Sequence, residues 1–235
     1  MRKLILFSSI ILASLFTSAQ TTVYDANAVL REAKGFNSIE VSDGIDLHLS
    51  YGEEAIAVSA SEAKFRDKIV VAVQNGILKL SYDESNKFSV NGKRNLRAYV
   101  SFRSLKAISA SGGSDVVIEG SLKANNLSIN ISGGSDFKGA VEVENLVIDQ
   151  SGGSDVTISG KAKALSINSS GGSDFNGYSL VAEVCDVEAS GGSDVEVTAN
   201  KEITARASGA SDITYKGSAA LKSSKSSGAS SVSKG

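Results

Sequence analysis

Residues 127–137 read LSINISGGSDF: apolar Leu127, Ile129 and Ile131 alternate with polar Ser128, Asn130 and Ser132, and then Gly133 and Gly134 break the alternation before Ser135, Asp136 and Phe137. Alternation with a period of two is the pattern of a strand whose successive side chains point to opposite sides. Glycine reaches positive φ without steric cost, so the pair marks a sharp corner between two strands. The same pentapeptide, SGGSD, begins at Ser111, Ser132, Ser151, Ser170 and Ser190, and it recurs as SGASD at Ser208 and SGASS at Ser227. The steps between these serines are 21, 19, 19, 20, 18 and 19 residues. A near-constant period that tolerates small slips marks a solenoid whose units stack on their neighbours, with the slips placed in turns. The expected fold is all-β, a parallel β-helix-like solenoid with rungs of about 19–20 residues and glycine-serine corners.

Stacking predicts columns. Five residues before each corner stand Leu127, Leu146, Leu165, Cys185 and Ile203, and three before it stand Ile108, Ile129, Ile148, Ile167, Val187 and Ala205. These would share one interior, because the same side of the same strand recurs in every rung. After the Asp come Val116, Phe137, Val156, Phe175, Val195 and Ile213, followed two positions later by Ile118, Gly139, Ile158, Gly177, Val197 and Tyr215. Where the first is Phe the second is Gly. A close-packed interior has no room for two bulky residues in every rung, so large and small are expected to compensate, with a two-rung superperiod.

Corners placed above one another at the usual strand spacing of about 4.8 Å predict a polar edge of stacked Ser and Asp. Before the repeats, further alternating stretches include Ile39 to Val41, Ile45 to Leu49, Ala55-Ala57-Ser59, Val71 to Val73, Ile77 to Leu80 and Ala98 to Phe102. Asn75-Gly76 reads as a hairpin turn, and residues 61–68, SEAKFRDK, as a short helix with Ser61 as its cap.

The first residues, MRKLILFSSIILASLFTSAQ, have the layout of a cleavable export signal over residues 1–19, with Arg2 and Lys3 ahead of an apolar run and small residues at its end. Cleavage after Ala19 would leave no transmembrane segment, and no cysteine lies nearby to carry a lipid. An N-terminal segment, 20–34, then leads into a single domain, 35–235, with repeat rungs from about residue 105 and an atypical, Ser/Lys-rich terminal cap over 217–235. Location is expected to be the periplasm, the outer surface or the medium. Without the signal the chain carries 22 Lys and Arg against 26 Asp and Glu and has no basic run, which offers nothing to nucleic acid.

The inventory for catalysis is thin. His48 is the only histidine and alternates outward in a strand; Cys185 is the only cysteine and falls in an apolar column. Neither a nucleophile elbow, a zinc ligand set nor a phosphate loop accompanies them. No catalytic or cofactor-binding residue is therefore assigned.

The sharpest candidate for chemistry is the column Asp115, Asp136, Asp155, Asp174, Asp194 and Asp212. Two carboxylates one strand apart repel in water by roughly 0.9 kcal/mol, and three things could offset that. Backbone N–H and Ser hydroxyl groups could bond them, calcium could sit between rungs, or the edge could meet sugar hydroxyls or a partner protein. Absence of tryptophan weakens the last, since ring platforms help hold sugars.

Three stretches carry a family resemblance: GFNSIEVSDGIDLHLSYGEE from Gly35, ASEAKFRDKIVVAVQNGILKLSY from Ala60, and SLKAISASGGSDV from Ser104 with its repeats, ending in SGASSV. In this order they resemble the DUF2807 family, the auto-transporter adhesin head GIN domain common in Bacteroidota, over residues 35–235. The resemblance implies a parallel β-helix-type fold and a role in adhesion, with no catalytic residues to carry over. The expected function is thus a non-enzymatic exported scaffold that binds cell-envelope or host glycans or surface proteins. The alternative is a calcium-dependent carbohydrate-binding or polysaccharide-lyase-like β-helix, whose long active-site loops these regular repeats lack.

Overall fold

The computed structural model describes residues 25–85 and 93–235; the expected export signal and the start of the 20–34 segment lie outside them. Among these described residues sixteen strands form one sheet: β1 (Val29–Arg31), β2 (Ser38–Val41), β3 (Asp46–Tyr51), β4 (Ala55–Ser59), β5 (Ile69–Gln74), β6 (Ile77–Tyr82), β7 (Arg97–Phe102), β8 (Ala107–Ala110), β9 (Val116–Ser132), β10 (Phe137–Ser151), β11 (Asp155–Ser169), β12 (Asp174–Ala189), β13 (Asp194–Gly209), β14 (Asp212–Lys216), β15 (Ala220–Gly228) and β16 (Ser231–Lys234). From β9 to β16 every pairing is parallel, and most partners lie one rung, 18 to 21 residues, apart. The chain winds into a β-solenoid of about seven turns with rungs near 19 residues.

Within a rung the period-two burial is interrupted, and the interruptions are bends. In β10 the buried positions are Phe137, Val141, Val143, Leu146, Ile148 and Gln150, with odd spacing between Val143 and Leu146. One long strand thus turns its apolar side inward on successive faces around a common core. Register slips fall at these bends, between Lys138 and Ala140, Thr157 and Ser159, and Gly177 and Val184, with one more inside a strand between Ile203 and Thr204, and none at the glycine corner.

The predicted columns are the core. Ile108, Ile129, Ile148, Ile167, Val187 and Ala205 are fully buried in successive rungs, and so are Leu127, Leu146, Leu165, Cys185 and Ile203. Compensation between large and small residues is visible in atoms: a Cβ placed on Gly139 would lie 3.0 Å from the Cβ of Ile118, and one on Gly177 would strike the Phe175 ring.

Strands β2 and β3 form an earlier rung that pairs with β8 and β9, and their connection is a degenerate copy of the corner. Ser42-Asp43-Gly44-Ile45-Asp46 stands under Ser111-Gly112-Gly113-Ser114-Asp115; Asp43 (φ 65°) and Gly44 (φ 71°) take the positive-φ places of Gly112 and Gly113. Below it, β6 and β7 pair with β2 and β3, while β5 and β4 add on antiparallel. Asn75 and Gly76 make the expected hairpin turn between β5 and β6. Helix α1 (Ala63–Arg66) buries Phe65 at this end; its N-cap is Glu62 without a side-chain cap bond, rather than Ser61, whose N–H donates instead to the Arg94 carbonyl. In β4 the inward residues are Ile56 and Val58, so Ala55 and Ala57 face out. Residues 217–235 continue the stack as β15 and β16, with Ser224 and Ser226 over Ala205 and Ala207.

Candidate functional site

At the corners the structure separates what the sequence reading had grouped. The second serine of the first six pentapeptides, at 114, 135, 154, 173, 193 and 211, is fully buried rather than part of a polar edge. Its hydroxyl closes the corner from inside: Ser154 Oγ donates to the Ser151 carbonyl at 2.8 Å, Ser173 Oγ to Ser170 at 2.9 Å and Ser193 Oγ to Ser190 at 3.0 Å. The same oxygens accept backbone N–H groups from the rung below, as from Ser114 to Ser135 Oγ at 2.9 Å and from Ser154 to Ser173 Oγ at 3.2 Å. A buried polar group so paired costs little, whereas an apolar residue would leave those N–H groups stranded.

The six predicted aspartates do stack in register on the outside, and the degenerate corner adds Asp46 beneath Asp115. Backbone N–H groups answer part of the column: Asp136 donates to Asp115 Oδ1 and Asp155 to Asp136 Oδ1, both at 3.3 Å, and Ser231 to Asp212 Oδ1 at 3.1 Å. Burial, followed by the neighbouring charges of Asp115 and Asp155, pushes the Asp136 carboxyl above its ordinary value despite that bond; burial and then Asp115 do the same to Asp46. Among the described residues, no group of three or more His, Cys, Asp or Glu side chains converges on a common metal position. The carboxylates form a row, one per rung.

Other outward rows are arranged differently. Lys123 pairs with Glu142, Glu144 with Lys163 and Glu183 with Lys201, each across adjacent rungs, so sign alternates along the stack. Opposite charges on neighbouring strands are mildly favourable and like charges are not, which makes the uniform Asp row the exception. Cys185 is buried and burial raises its thiol to about 12, consistent with an inert core residue. His48 faces outward but is half-buried, its ring stacked on Tyr99 at 5.1 Å and 23°.

Two features escaped the sequence reading. Gln150 points inward at a position where the rung below has Ile131; its amide donates to Ser169 Oγ at 2.8 Å, while its Oε1 is buried without a partner. The alternation in residues 146–150, LVIDQ, already puts it inside. The other is a depression beside His48, assembled from strands distant in sequence.

A stack of parallel rungs with a shared corner and no helical layer is a parallel β-solenoid. The family model DUF2807, "Putative auto-transporter adhesin, head GIN domain", matches residues 35–219, and the chain belongs to that family. Among solved structures it is similar to a putative adhesin from Bacteroides fragilis NCTC 9343, with 24% identity, TM-score 0.82, and coverage of 89% of this chain and 98% of that one. It is also similar to a putative adhesin from Parabacteroides merdae ATCC 43184 (17% identity, TM-score 0.71, 89% and 95% covered). A third likeness is to a putative lipid binding protein from Parabacteroides distasonis ATCC 8503 (18% identity, TM-score 0.67, 90% and 98% covered). At these identities the likeness is one of fold. No curated protein matches the chain.

Proposed function

We propose that this protein is a non-enzymatic, exported scaffold that adheres through its outer faces to glycans or proteins of a cell surface. One observation carries the reading: from Val116 to Lys216 the rungs follow one another through short corners, so polar side chains recur as rows at one-rung spacing. Rows suit an extended or repetitive partner, whereas a single scissile bond needs unlike groups converging on one point. Membership of an adhesin-domain family and the mildly acidic charge without a basic run, which gives nucleic acid little to attract it, support the same reading. Fractionating cells that express the full chain, with protease added to intact cells, tests export: the protein is expected in the envelope or medium, and retention in the cytoplasm would contradict it.

The uniform row from Asp46 to Asp212 favours a second reading in which calcium sits between rungs and mediates carbohydrate binding or a lyase-like reaction. Calcium titration by calorimetry, with melting in the presence and absence of chelator, tests it. Saturable heat with a raised melting point would support a metal row; no heat and no shift would leave the row as corner chemistry.

A further inference from the structure

At the N-terminal end of one face, five outward residues are neighbours across five strands: Val117, His48, Tyr99, Ala57 and Leu30. Two positions along lies a second row, Glu119, Ser50, Ser101 and Ala55. Tyr99 has the His48 ring on one side, and its hydroxyl donates to Asp25 Oδ2 at 2.9 Å, which fixes the phenol. The neighbour on its other side is Ala57, which offers no more than a methyl group, with Leu30, 75% exposed, one strand beyond. The two alanines therefore floor a depression of about 320 Å³, walled by Tyr99 and Leu30 and edged by Ser50, Ser101, Asp25 and Glu119.

Its chemistry is specific. One wall is an aromatic ring and the opposite wall is aliphatic, a pairing that suits a flat body with apolar C–H faces. The rim is made of oxygen. Ser50 and Ser101 share one hydrogen bond at 3.2 Å, so one hydroxyl proton and several lone pairs remain for a ligand. Glu119 enters no ion pair among the described residues, and Asp25 is held charged: burial acts to raise it, but the Asn27 N–H, Ser59, Tyr99 and Arg97 together keep it below its usual value. Among the described residues, no lysine or arginine lines the depression, which disfavours an anionic ligand. The volume is at the lower end of small-ligand sites, about that of one or two sugar rings.

We propose that this depression binds one uncharged sugar ring of a glycan, its C–H face against Tyr99 and its hydroxyls toward Ser50, Ser101 and Glu119. The proposal rests on the adhesive reading and supplies a ligand class and a place for it. The tryptophan-free sequence lacks the usual sugar platform; here Tyr99, braced by His48 and Asp25, supplies one.

His48 is the chain's only histidine, so its imidazole protons are a unique reporter in proton NMR of the wild-type protein. The purified protein is titrated with methyl glycosides of glucose, galactose, mannose, fucose and N-acetylglucosamine. At least one is expected to shift the His48 signals saturably. Tyr99→Ala, and Ala57→Phe, which fills the floor while keeping Tyr99, should each weaken that binding by roughly tenfold or more, with melting curves confirming that both fold. A glycoside that binds without moving His48, or equally well to both variants, would overturn the site while leaving adhesion intact. A His48 shift caused by N-acetylphenylalaninamide and by no glycoside would overturn the ligand class. Binding of no glycoside would overturn the proposal, and retention of the labelled, folded protein on intact cells judges the adhesive reading separately.

Discussion

The ring of Phe175 occupies the space that a side chain on Gly177, two residues later in the same rung, would need; a Cβ there would also lie 2.9 Å from the Glu196 carbonyl of the next rung. Gly177→Ala is therefore expected to destabilise the protein by about 1–3 kcal/mol through overpacking. Adding Phe175→Val, the residue that stands in this column at Val156 and Val195, should return part of that loss, because the ring is removed while the carbonyl remains. Urea unfolding of the two single variants and the double measures the coupling; strictly additive effects would contradict it.

The corners change hands along the stack. In the first three, both glycines have positive φ (66° and 74° at Gly112 and Gly113, 66° and 72° at Gly133 and Gly134, 74° and 76° at Gly152 and Gly153), but from Gly171 onward only the first does. That is why the later pentapeptides admit Ala210 and Ala229 at the second place. Gly192→Ala should be neutral or stabilising by up to about 1 kcal/mol, and Gly134→Ala should cost about 1–2 kcal/mol for an L-residue in the left-handed region. Thermal melts that rank the two variants the other way would refute this geometry.

Gln150 is 2% exposed and its Oε1 has no partner. Gln150→Leu removes an unsatisfied buried group at similar volume and continues the apolar column above Ile131, while Ser169 Oγ keeps the Ser173 carbonyl at 3.3 Å. Stability should rise by about 1–2 kcal/mol. A fall in the denaturation midpoint would show that the amide is needed where it lies.

The raised carboxyl of Asp136 fixes the sign of a pH effect. A carboxyl whose folded value lies above its unfolded value favours folding when protonated, so its contribution is present below the unfolded value and is lost as pH rises through the folded one. Asp136→Asn, which retains an oxygen for the Asp155 N–H, should thus melt above wild type at pH 7, with the gap closing as pH falls below the ordinary carboxylate range. Salt should narrow the gap at pH 7 by screening the row. A wild type more stable than the variant at pH 7 would contradict it.

Period, corner and core columns were legible because each rung repeats the same residues in the same register, so one alternation such as residues 127–131 stands for six. The earlier rung was not. Its corner, SDGID at 42–46, keeps only the outline of the motif, and 69 residues separate Ser42 from Ser111 because β4 to β7 intervene and fold underneath. The buried serines were misplaced for another reason: Ser135 and Asp136 are adjacent and equally polar, and only the path of the corner decides that the hydroxyl turns in while the carboxylate turns out. The Tyr99 depression joins strands in the order β1, β4, β7, β3, β9, a neighbourhood set by antiparallel and skipped pairings that no local pattern records.

The most direct test of adhesion is retention of the fluorescently labelled, folded protein on intact bacterial and host cells, with isolated envelope glycans as competitors. Saturable binding that unlabelled protein displaces is the predicted result, and Tyr99→Ala should reduce it if the same site is used. Absence of saturable binding to every surface, with the protein shown to be folded, would contradict the account.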